Sequence, residues 1–166
     1  MESAVIATPL GTARITGDSD GIQSLRLTSD QVTSAGIPAL LQPACQQLKE
    51  YFKGTREVFD LPLNPQGTEF QKRVWKDLSK IPYGKTVSYL QMARNLGDPK
   101  AVRAVAGANA KNPLWILLPC HRVIGSDGDL RGYAGGIDRK KWLLNHESPN
   151  PQTSLFDPEP TPRFVQ

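Results

Sequence analysis

The segment Cys120-His121-Arg122 places a thiol beside a base and a cation, the residue types that nucleophilic sulfur chemistry requires. A thiolate is the reactive form of cysteine, and a nearby proton acceptor or positive charge favours its formation. Because neighbouring residues on a strand point to opposite faces, we expect Cys120 and His121 to communicate at a turn or through a bridging water. Glu147, near the end of the last predicted helix, is a candidate to orient His121 in a Cys-His-Glu relay.

The cysteine and histidine content limits other kinds of chemistry. Two cysteines exclude a disulfide scaffold, and free thiols are expected in a reducing cytoplasm. Cys45 falls on the apolar stripe of a predicted helix and is predicted to be a core residue. With Cys120 and His121 already assigned, one cysteine and one histidine remain, so no metal site is expected.

Length, composition and charge define the class of protein. The chain has 166 residues, enough for one domain or two small ones, and 39 % hydrophobic residues are typical of a globular protein. Apolar runs stay well below the roughly 18 residues of a membrane span, and the N-terminus lacks a signal-peptide pattern, so we expect a soluble, cytoplasmic protein. Residues 72–147 hold 14 Lys and Arg against 6 Asp and Glu. This excess fits either a polyanion-binding region or a solvated basic face.

The first third of the sequence predicts a small antiparallel sheet and one helix. Strand-like segments at 4–8, 12–16 and 22–27 are separated by glycine and proline. The helix at 38–52 ends before Gly54, and its apolar stripe comprises Leu40, Leu41, Ala44, Cys45, Leu48, Tyr51 and Phe52. The proline-containing stretch 57–67 indicates a linker, which places a domain boundary near residue 66.

A helical domain is predicted at 67–147. Thr68 and Gln71 form a capping-box pattern at the start of its first helix. The later helices, of which the first two have a helix-turn-helix spacing, are expected at 86–95, 98–110 and 138–146. The tail 148–166 contains five prolines and is expected to be disordered.

The helix at 98–110 is rich in alanine and glycine and carries one long side chain, Arg103. Small residues such as Ala101 and Ala104 permit close approach to a groove wall, as a recognition helix requires. A tightly packed, buried helix would have the same composition. The basic surroundings favour the nucleic-acid interpretation.

Residues 112–123, NPLWILLPCHRV, resemble the O6-alkylguanine-DNA alkyltransferases, which are also called methylated-DNA–protein-cysteine methyltransferases. Two flanking motifs share this resemblance, namely Arg103-Ala104-Val105 upstream and Gly132-Tyr133-Ala134-Gly135-Gly136 downstream. The resemblance spans roughly residues 68–147. It implies direct DNA repair without a cofactor. A helix-turn-helix docks in the minor groove, the damaged base is extruded, and its alkyl group moves to a cysteine sulfur.

The resemblance also implies roles for individual residues. Cys120 matches the nucleophile, His121 the base that acts through water, and Glu147 its orienting partner. Asn112 matches the asparagine that orders the active-site turn. Tyr89 matches the tyrosine that helps to swing out the nucleotide and protonates or hydrogen-bonds the leaving guanine. Because the thioether product has no good leaving group, each molecule is expected to react once.

Further positions match the DNA interface and the substrate pocket. Arg103 matches the finger that fills the vacated base stack, a role suited to a long, planar guanidinium. The pocket is expected to include Tyr133, Ala134 and Gly135, with Ala134 replacing a hydroxyl-bearing residue of some relatives. Trp115 stands where family members commonly carry a small residue or proline. We therefore expect a narrowed pocket that disfavours bulky adducts such as benzyl.

The tail offers one further motif, Gln152-Thr153-Ser154-Leu155-Phe156. It resembles the short peptide with which bacterial repair and replication proteins dock on the sliding clamp. Gln152 comes first, and Leu155 and Phe156 are two apolar anchors in a segment expected to be disordered. The expected partners are thus alkylated double-stranded DNA and a sliding clamp, with no membrane partner and a monomeric chain.

Together these observations predict an α+β protein with an N-terminal sheet-and-helix domain at 1–66 and a winged-helix-like DNA-binding domain at 67–147. The second domain carries Cys120 and would transfer alkyl groups from O6-alkylguanine and O4-alkylthymine. Three alternatives stay open. A lesion-binding alkyltransferase-like module lacks the cysteine, a helix-turn-helix regulator would bind specific duplex sequences, and a cysteine hydrolase using Cys120, His121 and Glu147 would turn over repeatedly.

Overall fold

The structure, a computed structural model, describes residues 1–33, 35–130, 133 and 135–148. They form two compact units. The first contains Met1–Gln66 and Pro113–Leu117, and the second contains Gly67–Asn112 and the described residues from Leu118 onward. The first unit holds a sheet and a helix and the second is mainly helical, which confirms the predicted α+β class.

Three antiparallel strands form the sheet of the first unit in the order β1-β2-β3. They are β1 (Glu2–Thr8), β2 (Gly11–Asp18) and β3 (Gly21–Leu27). A 3-10 turn precedes helix α1 (Gln42–Lys53). Helix α1 ends at Gly54, whose φ of +82° is the left-handed conformation in which glycine caps helices at little cost.

The predicted stripe of α1 supplies much of the core of the first unit. Its buried members are Leu41, Ala44, Cys45, Leu48 and Tyr51. Leu40 was predicted to lie on the same helical stripe, but it is 39 % exposed. It lies in the 3-10 turn Ala39–Leu41, where three residues complete a turn and the α-helical spacing of the stripe does not apply.

A distant segment pairs with the outer edge of β3. The N–H of Leu25 donates to the carbonyl of Pro113 at 2.8 Å, and the N–H of Trp115 donates to the carbonyl of Leu25 at 3.2 Å. Pro113–Leu117 therefore belongs to the first unit, although the chain on both sides of it belongs to the second. The apolar sequence of this segment did not indicate that pairing.

Four α-helices lie in the described part of the second unit, namely α2 (Glu69–Leu78), α3 (Tyr89–Asn95), α4 (Val102–Ala110) and α5 (Ile137–Glu147). The predicted capping box opens α2, with Gln71 N–H donating to the hydroxyl of Thr68 and Thr68 N–H donating to the side chain of Gln71. Helix α2 packs on α4, where the indole Nε1 of Trp75 donates to the carbonyl of Ala108 at 2.9 Å.

Helices α3 and α4 have the predicted spacing but begin later than expected. Val87–Ser88 is a short strand, β4, that pairs in parallel with β5 (Val123–Ile124). Asp98 caps a 3-10 turn, Pro99–Ala101, that precedes α4. The pairing of β4 with a strand far away in sequence outweighs the local helical pattern at its own position.

The β4–β5 pair positions two of the candidate site residues, Tyr89 and Cys120. β4 leads directly into Tyr89, and β5 follows directly on the turn Cys120–Arg122. Their pairing holds Tyr89 and the cysteine turn in one part of the second unit. Within the described residues, every helix is too short or too polar to cross a membrane. The predicted clamp peptide, with Gln152, Leu155 and Phe156, lies outside those residues.

Candidate active site

Cys120 opens a 3-10 turn, Cys120–Arg122, and does not lie on a strand. Its N–H donates to the carbonyl of Leu118 at 2.7 Å, and its own carbonyl accepts from Nδ2 of Asn109 at 3.3 Å. Nδ2 of Asn112 donates to the same Leu118 carbonyl at 2.8 Å. Two buried amide side chains thus hold the backbone on both sides of the thiol.

Burial makes the Cys120 thiol a weak acid in the resting protein. The residue is 3 % exposed, and burial raises the pKa of its thiol to about 11. Hydrogen bonds with Asn112 and Tyr133 and the positive charge of Lys140 act in the opposite direction. The thiol is therefore protonated near neutral pH, and its reaction requires a base together with groups that stabilise the thiolate as it forms.

His121 is placed to be that base. Its ring is buried, and Nε2 lies 2.7 Å from Oε2 of Glu147. Burial lowers the pKa of His121 more than the Glu147 carboxylate raises it, so the imidazole is neutral. A neutral ring that donates its Nε2 proton to Glu147 carries a lone pair on Nδ1. Nδ1 is buried and makes no hydrogen bond to any residue in the described ranges.

A buried ion pair fixes Glu147 in turn. Arg122 Nε donates to Oε1 at 2.7 Å and Arg122 Nη2 donates to Oε2 at 3.0 Å, while Nη1 donates to the carbonyl of Ile81 at 2.7 Å. Burial alone would raise the pKa of Glu147, but His121 and Arg122 hold it well below its usual value. The carboxylate stays charged and compensates a guanidinium that is also buried.

Lys140 is a functional candidate that sequence reasoning missed. It is fully buried, its ammonium donates to the carbonyl of Val123 at 2.6 Å, and it lies 5.8 Å and 5.9 Å from the ring centroids of Tyr89 and Tyr133. Burial lowers the pKa of Lys140 to about 8, against the opposing charges of Cys120 and Asp129. The sequence did contain a signal, because position 140 shares one face of a helix with Leu143, Leu144 and Glu147.

Two tyrosines complete the surroundings of the thiol. Tyr89, the first residue of α3, is half-buried, and Nδ2 of Asn109 lies 3.5 Å from its hydroxyl. Tyr133 is buried close to Cys120. Burial raises the pKa of both phenols, so each is a hydrogen-bond donor at neutral pH.

The residues predicted to touch DNA lie on or just before α4. Arg103 and Ala104 are exposed, and Ala101 is half-buried in the preceding 3-10 turn. Open space surrounds Gly107 on the same helix. Helix α4 therefore presents an exposed face of small residues around one arginine, which contradicts the alternative of a wholly buried helix.

The structure thus collects six predicted residues in the second unit, namely Cys120, His121, Glu147, Asn112, Tyr89 and Tyr133. Gly135, two positions after Tyr133, is also buried, and its carbonyl accepts a hydrogen bond from Nη1 of Arg139. Ala134 lies outside the described residues, and Trp115 belongs to the first unit. No three His, Cys, Asp or Glu side chains within the described ranges group together as ligands for a metal ion.

Family models for 6-O-methylguanine DNA methyltransferase match nearly the whole chain. The ribonuclease-like domain of that family matches residues 1–65, and its DNA-binding domain matches residues 69–149. The chain belongs to the 6-O-methylguanine DNA methyltransferase family. This confirms the family that residues 112–123 and their flanking motifs indicated.

Relatives in three organisms resemble the chain over most of their length. The methylated-DNA–protein-cysteine methyltransferase of Methanosarcina barkeri is 45 % identical over 153 residues, which covers 88 % of this chain and 96 % of the relative. The constitutive methylated-DNA–protein-cysteine methyltransferase of Bacillus subtilis is 46 % identical over 150 residues, which covers 84 % of this chain and 91 % of the relative. The solved structure of Mycobacterium tuberculosis OGT in complex with DNA superposes with a TM-score of 0.81 at 41 % identity, covering 95 % of this chain and all of that one. The chain is accordingly a DNA-binding methyltransferase that repairs DNA by alkyl transfer.

Proposed function

We propose that the chain moves the alkyl group of O6-alkylguanine, and of O4-alkylthymine, in double-stranded DNA onto the sulfur of Cys120. The observation that carries this assignment is the buried relay beside the thiol, in which Arg122 fixes Glu147, Glu147 fixes His121, and Nδ1 of His121 is left to accept a proton. The second cysteine, Cys45, is buried on α1 without such a relay among its described neighbours.

The transfer is one displacement. Nδ1 of His121 takes the thiol proton through a water molecule, and the sulfur attacks the alkyl carbon of the extruded base. The S–C bond forms as the C–O6 bond breaks, and the electron pair of that bond goes to O6. The phenol of Tyr89 hydrogen-bonds or protonates the leaving guanine. Lys140, charged below about pH 8, stabilises the negative charge on sulfur while it develops.

Stoichiometry tests this proposal directly. The protein is mixed with an excess of duplex carrying one O6-methylguanine per molecule, and the guanine recovered is counted. We expect one guanine per protein molecule, because the thioether that forms is not hydrolysed. Repeated turnover would identify a hydrolase, and lesion binding without recovered guanine would identify a lesion reader or a transcription regulator.

We further propose that α4 enters the minor groove and that Arg103 fills the space left by the extruded base, while Ala101 and Ala104 allow close approach. The exposed small-residue face of α4 and the positive charge of residues 72–147 support this arrangement. The variant Arg103→Ala is expected to slow transfer from duplex about tenfold or more, since an unstacked base costs a few kcal/mol. Arg26→Ala, at an exposed position of β3, is the control and should leave the rate unchanged.

The proposed pocket includes Trp115, whose bulk is expected to restrict the size of the alkyl group. We expect Trp115→Ala to react faster than the wild type with O6-benzylguanine and at the same rate with O6-methylguanine in duplex. Equal or faster reaction of benzylguanine with the wild type would remove Trp115 from the pocket.

We propose that the tail peptide docks on a sliding clamp through Gln152, Leu155 and Phe156. We also propose that the chain acts as a monomer and that it works in the cytoplasm. A synthetic peptide of residues 149–159 should bind purified clamp, and the same peptide with Leu155 and Phe156 replaced by alanine should not. Absence of binding at concentrations where an established clamp peptide binds would end this proposal.

A further inference from the structure

The chain approaches Cys120 through two successive γ-turns. In the first, the N–H of Leu117 donates to the carbonyl of Trp115 at 2.7 Å, with Ile116 at the centre. In the second, the N–H of Cys120 donates to the carbonyl of Leu118 at 2.7 Å, with Pro119 at the centre. Pro119 has φ −79° and ψ 66°, which is the relaxed form of this turn.

Ile116 adopts the strained form, with φ +71°. Across the described residues it is the sole non-glycine with a positive φ. A β-branched side chain is among the least suited to this region, because its Cβ substituents crowd the backbone. Strain of this kind persists only where the surroundings determine the conformation more strongly than the residue does.

The surroundings of Ile116 meet that condition within the first unit. Leu25 hydrogen-bonds the segment on both sides of Leu114, through the carbonyl of Pro113 and the N–H of Trp115. Leu114, Ile116 and Leu117 are 0 %, 7 % and 6 % exposed. The segment is thus hydrogen-bonded before the turn and buried throughout it. These contacts hold Ile116 in a backbone conformation that is unfavourable for isoleucine.

The far end of the turn is equally defined. Leu118, the next residue after the segment, has its carbonyl occupied by both Asn112 Nδ2 and the N–H of Cys120. The path between Ile116 and Cys120 therefore contains only Leu117, Leu118 and Pro119, each fixed by burial, a hydrogen bond or a ring. Only three residues, none of them a glycine, thus separate Ile116 from Cys120.

We propose that Ile116 is a positioning residue for alkyl transfer, because its left-handed γ-turn sets the direction in which the chain enters Leu118–Cys120 and thereby the placing of the Cys120 thiol. The inference rests on Cys120 being the alkyl acceptor, as proposed above. Ile116 acts through the backbone and touches no reacting group. Displacement at carbon requires the sulfur, the carbon and the leaving oxygen to be nearly in line, so a small error in the position of sulfur slows the step strongly.

Two substitutions at this position separate positioning from stability. Ile116→Gly and Ile116→Ala both remove the buried side chain. Glycine adopts a positive φ freely and leaves the turn loose, whereas alanine retains the restriction and part of the strain. We expect Ile116→Gly to melt at a higher temperature than Ile116→Ala, the reverse of the usual order of these residues in regular structure.

The rate of transfer should follow the opposite order. In single-turnover reactions with O6-methylguanine duplex, we expect Ile116→Gly to react about tenfold or more slowly than Ile116→Ala. Both variants should bind lesion duplex with the affinity of the wild type when Cys120→Ser is added to prevent reaction. A merely structural role predicts that the less stable variant is the slower one.

The outcomes distinguish this inference from the assignment of Cys120. Transfer by Ile116→Gly at or above the rate of Ile116→Ala overturns the positioning role. Failure of the wild type to become alkylated at Cys120 overturns the proposed function instead. A melting temperature of Ile116→Gly below that of Ile116→Ala contradicts the left-handed turn on which the inference depends.

Discussion

The two cysteines of this chain have the same low solvent exposure but differ in what surrounds them. Cys45 and Cys120 are each 3 % exposed, and burial raises the pKa of both thiols. Lys49 is the charge that opposes this effect at Cys45, whereas Asn112, Tyr133 and Lys140 all oppose it at Cys120. Low solvent exposure alone therefore does not distinguish a structural thiol from a reactive one, and the polar groups buried beside the thiol make the difference.

The backbone differs in the same sense. Cys45 lies within the regular helix α1, where its neighbours on the stripe are apolar. Cys120 begins a 3-10 turn that two asparagine side chains hold in place, and a γ-turn centred on Pro119 leads into it. Polar groups are costly to bury, and the second unit buries His121, Arg122, Lys140 and Glu147 close to one thiol. Such a cluster of buried polar side chains is costly for the stability of the fold and is typical of a reactive site.

Removing the charge of Glu147 is expected to have the largest effect. Glu147→Gln should reduce single-turnover transfer about a hundredfold, because His121 loses its orienting carboxylate. It should also destabilise the fold by about 3–5 kcal/mol, because the buried charge of Arg122 loses its partner. Stopped-flow transfer assays and urea denaturation measure the two effects.

The ion pair between Glu50 and Arg56 in the first unit is the matched control. Its Nε–Oε1 distance is also 2.7 Å, but both side chains are partly exposed. Glu50→Gln should therefore leave both transfer and stability nearly unchanged. Equal losses for Glu50→Gln and Glu147→Gln would show that burial of the charges around Cys120 has no special role.

Replacing Lys140 is expected to have an intermediate effect. Lys140→Met should slow transfer about tenfold at pH 7, since the thiolate loses a buried cation whose charge favours its formation. Lys49→Met, beside Cys45, should not change the rate. The Lys140 ammonium is charged below about pH 8 and neutral above it. The transfer rate of the wild type should therefore rise less steeply with pH above about 8 than below it, whereas the slope for Lys140→Met should not change there. Identical pH profiles for the wild type and Lys140→Met would exclude the role.

Stability should depend on pH at the same residue with a definite sign. The pKa of Lys140 falls from an ordinary value of 10.5 in the unfolded chain to about 8 in the fold, so the unfolded chain binds more protons between these values. The free energy of unfolding should therefore gain a favourable contribution as the pH rises from about 8 toward 10.5. Lys140→Met removes this contribution, and denaturation of both proteins across that range provides the measurement.

Replacing Cys45 is expected to have the smallest effect on transfer. Cys45→Ser should react with methylated duplex at the rate of the wild type. The added hydroxyl is buried in an apolar stripe, so the melting temperature should fall moderately. A substantial loss of transfer in this variant, with the fold intact, would mean that the first cysteine takes part in the reaction.

Local signals in the sequence predicted much of the fold. The capping box at Thr68, the helix stop at Gly54 and the glycine and proline residues between the first strands are signals from neighbouring residues. The structure contains the cap, the helix end and the three strands. The strand at Val87–Ser88 was missed because its partner, β5, lies far away in sequence. Periodicity within a segment contains no information about such a partner.

The site was predicted less completely than the fold. The motif around Cys120 and its resemblance to a family named the thiol, His121 and Glu147, which the structure brings together with Arg122. Lys140 was not singled out, because lysine is almost never fully buried, although its position lies on the buried face of α5. Ile116 was missed because an apolar run shows where a chain is buried and not where it turns.

Peptide mapping of the wild-type protein shows which cysteine accepts the alkyl group. The protein is mixed with an equimolar duplex bearing one O6-methylguanine with a deuterated methyl group, then digested, and both cysteine peptides are analysed by mass spectrometry with Cys120→Ser as the control. We expect the label to appear quantitatively on the Cys120 peptide, to be absent from the Cys45 peptide, and to disappear in the variant. Label on Cys45, or an unlabelled Cys120 with the duplex bound, would show that Cys120 is not the alkyl acceptor.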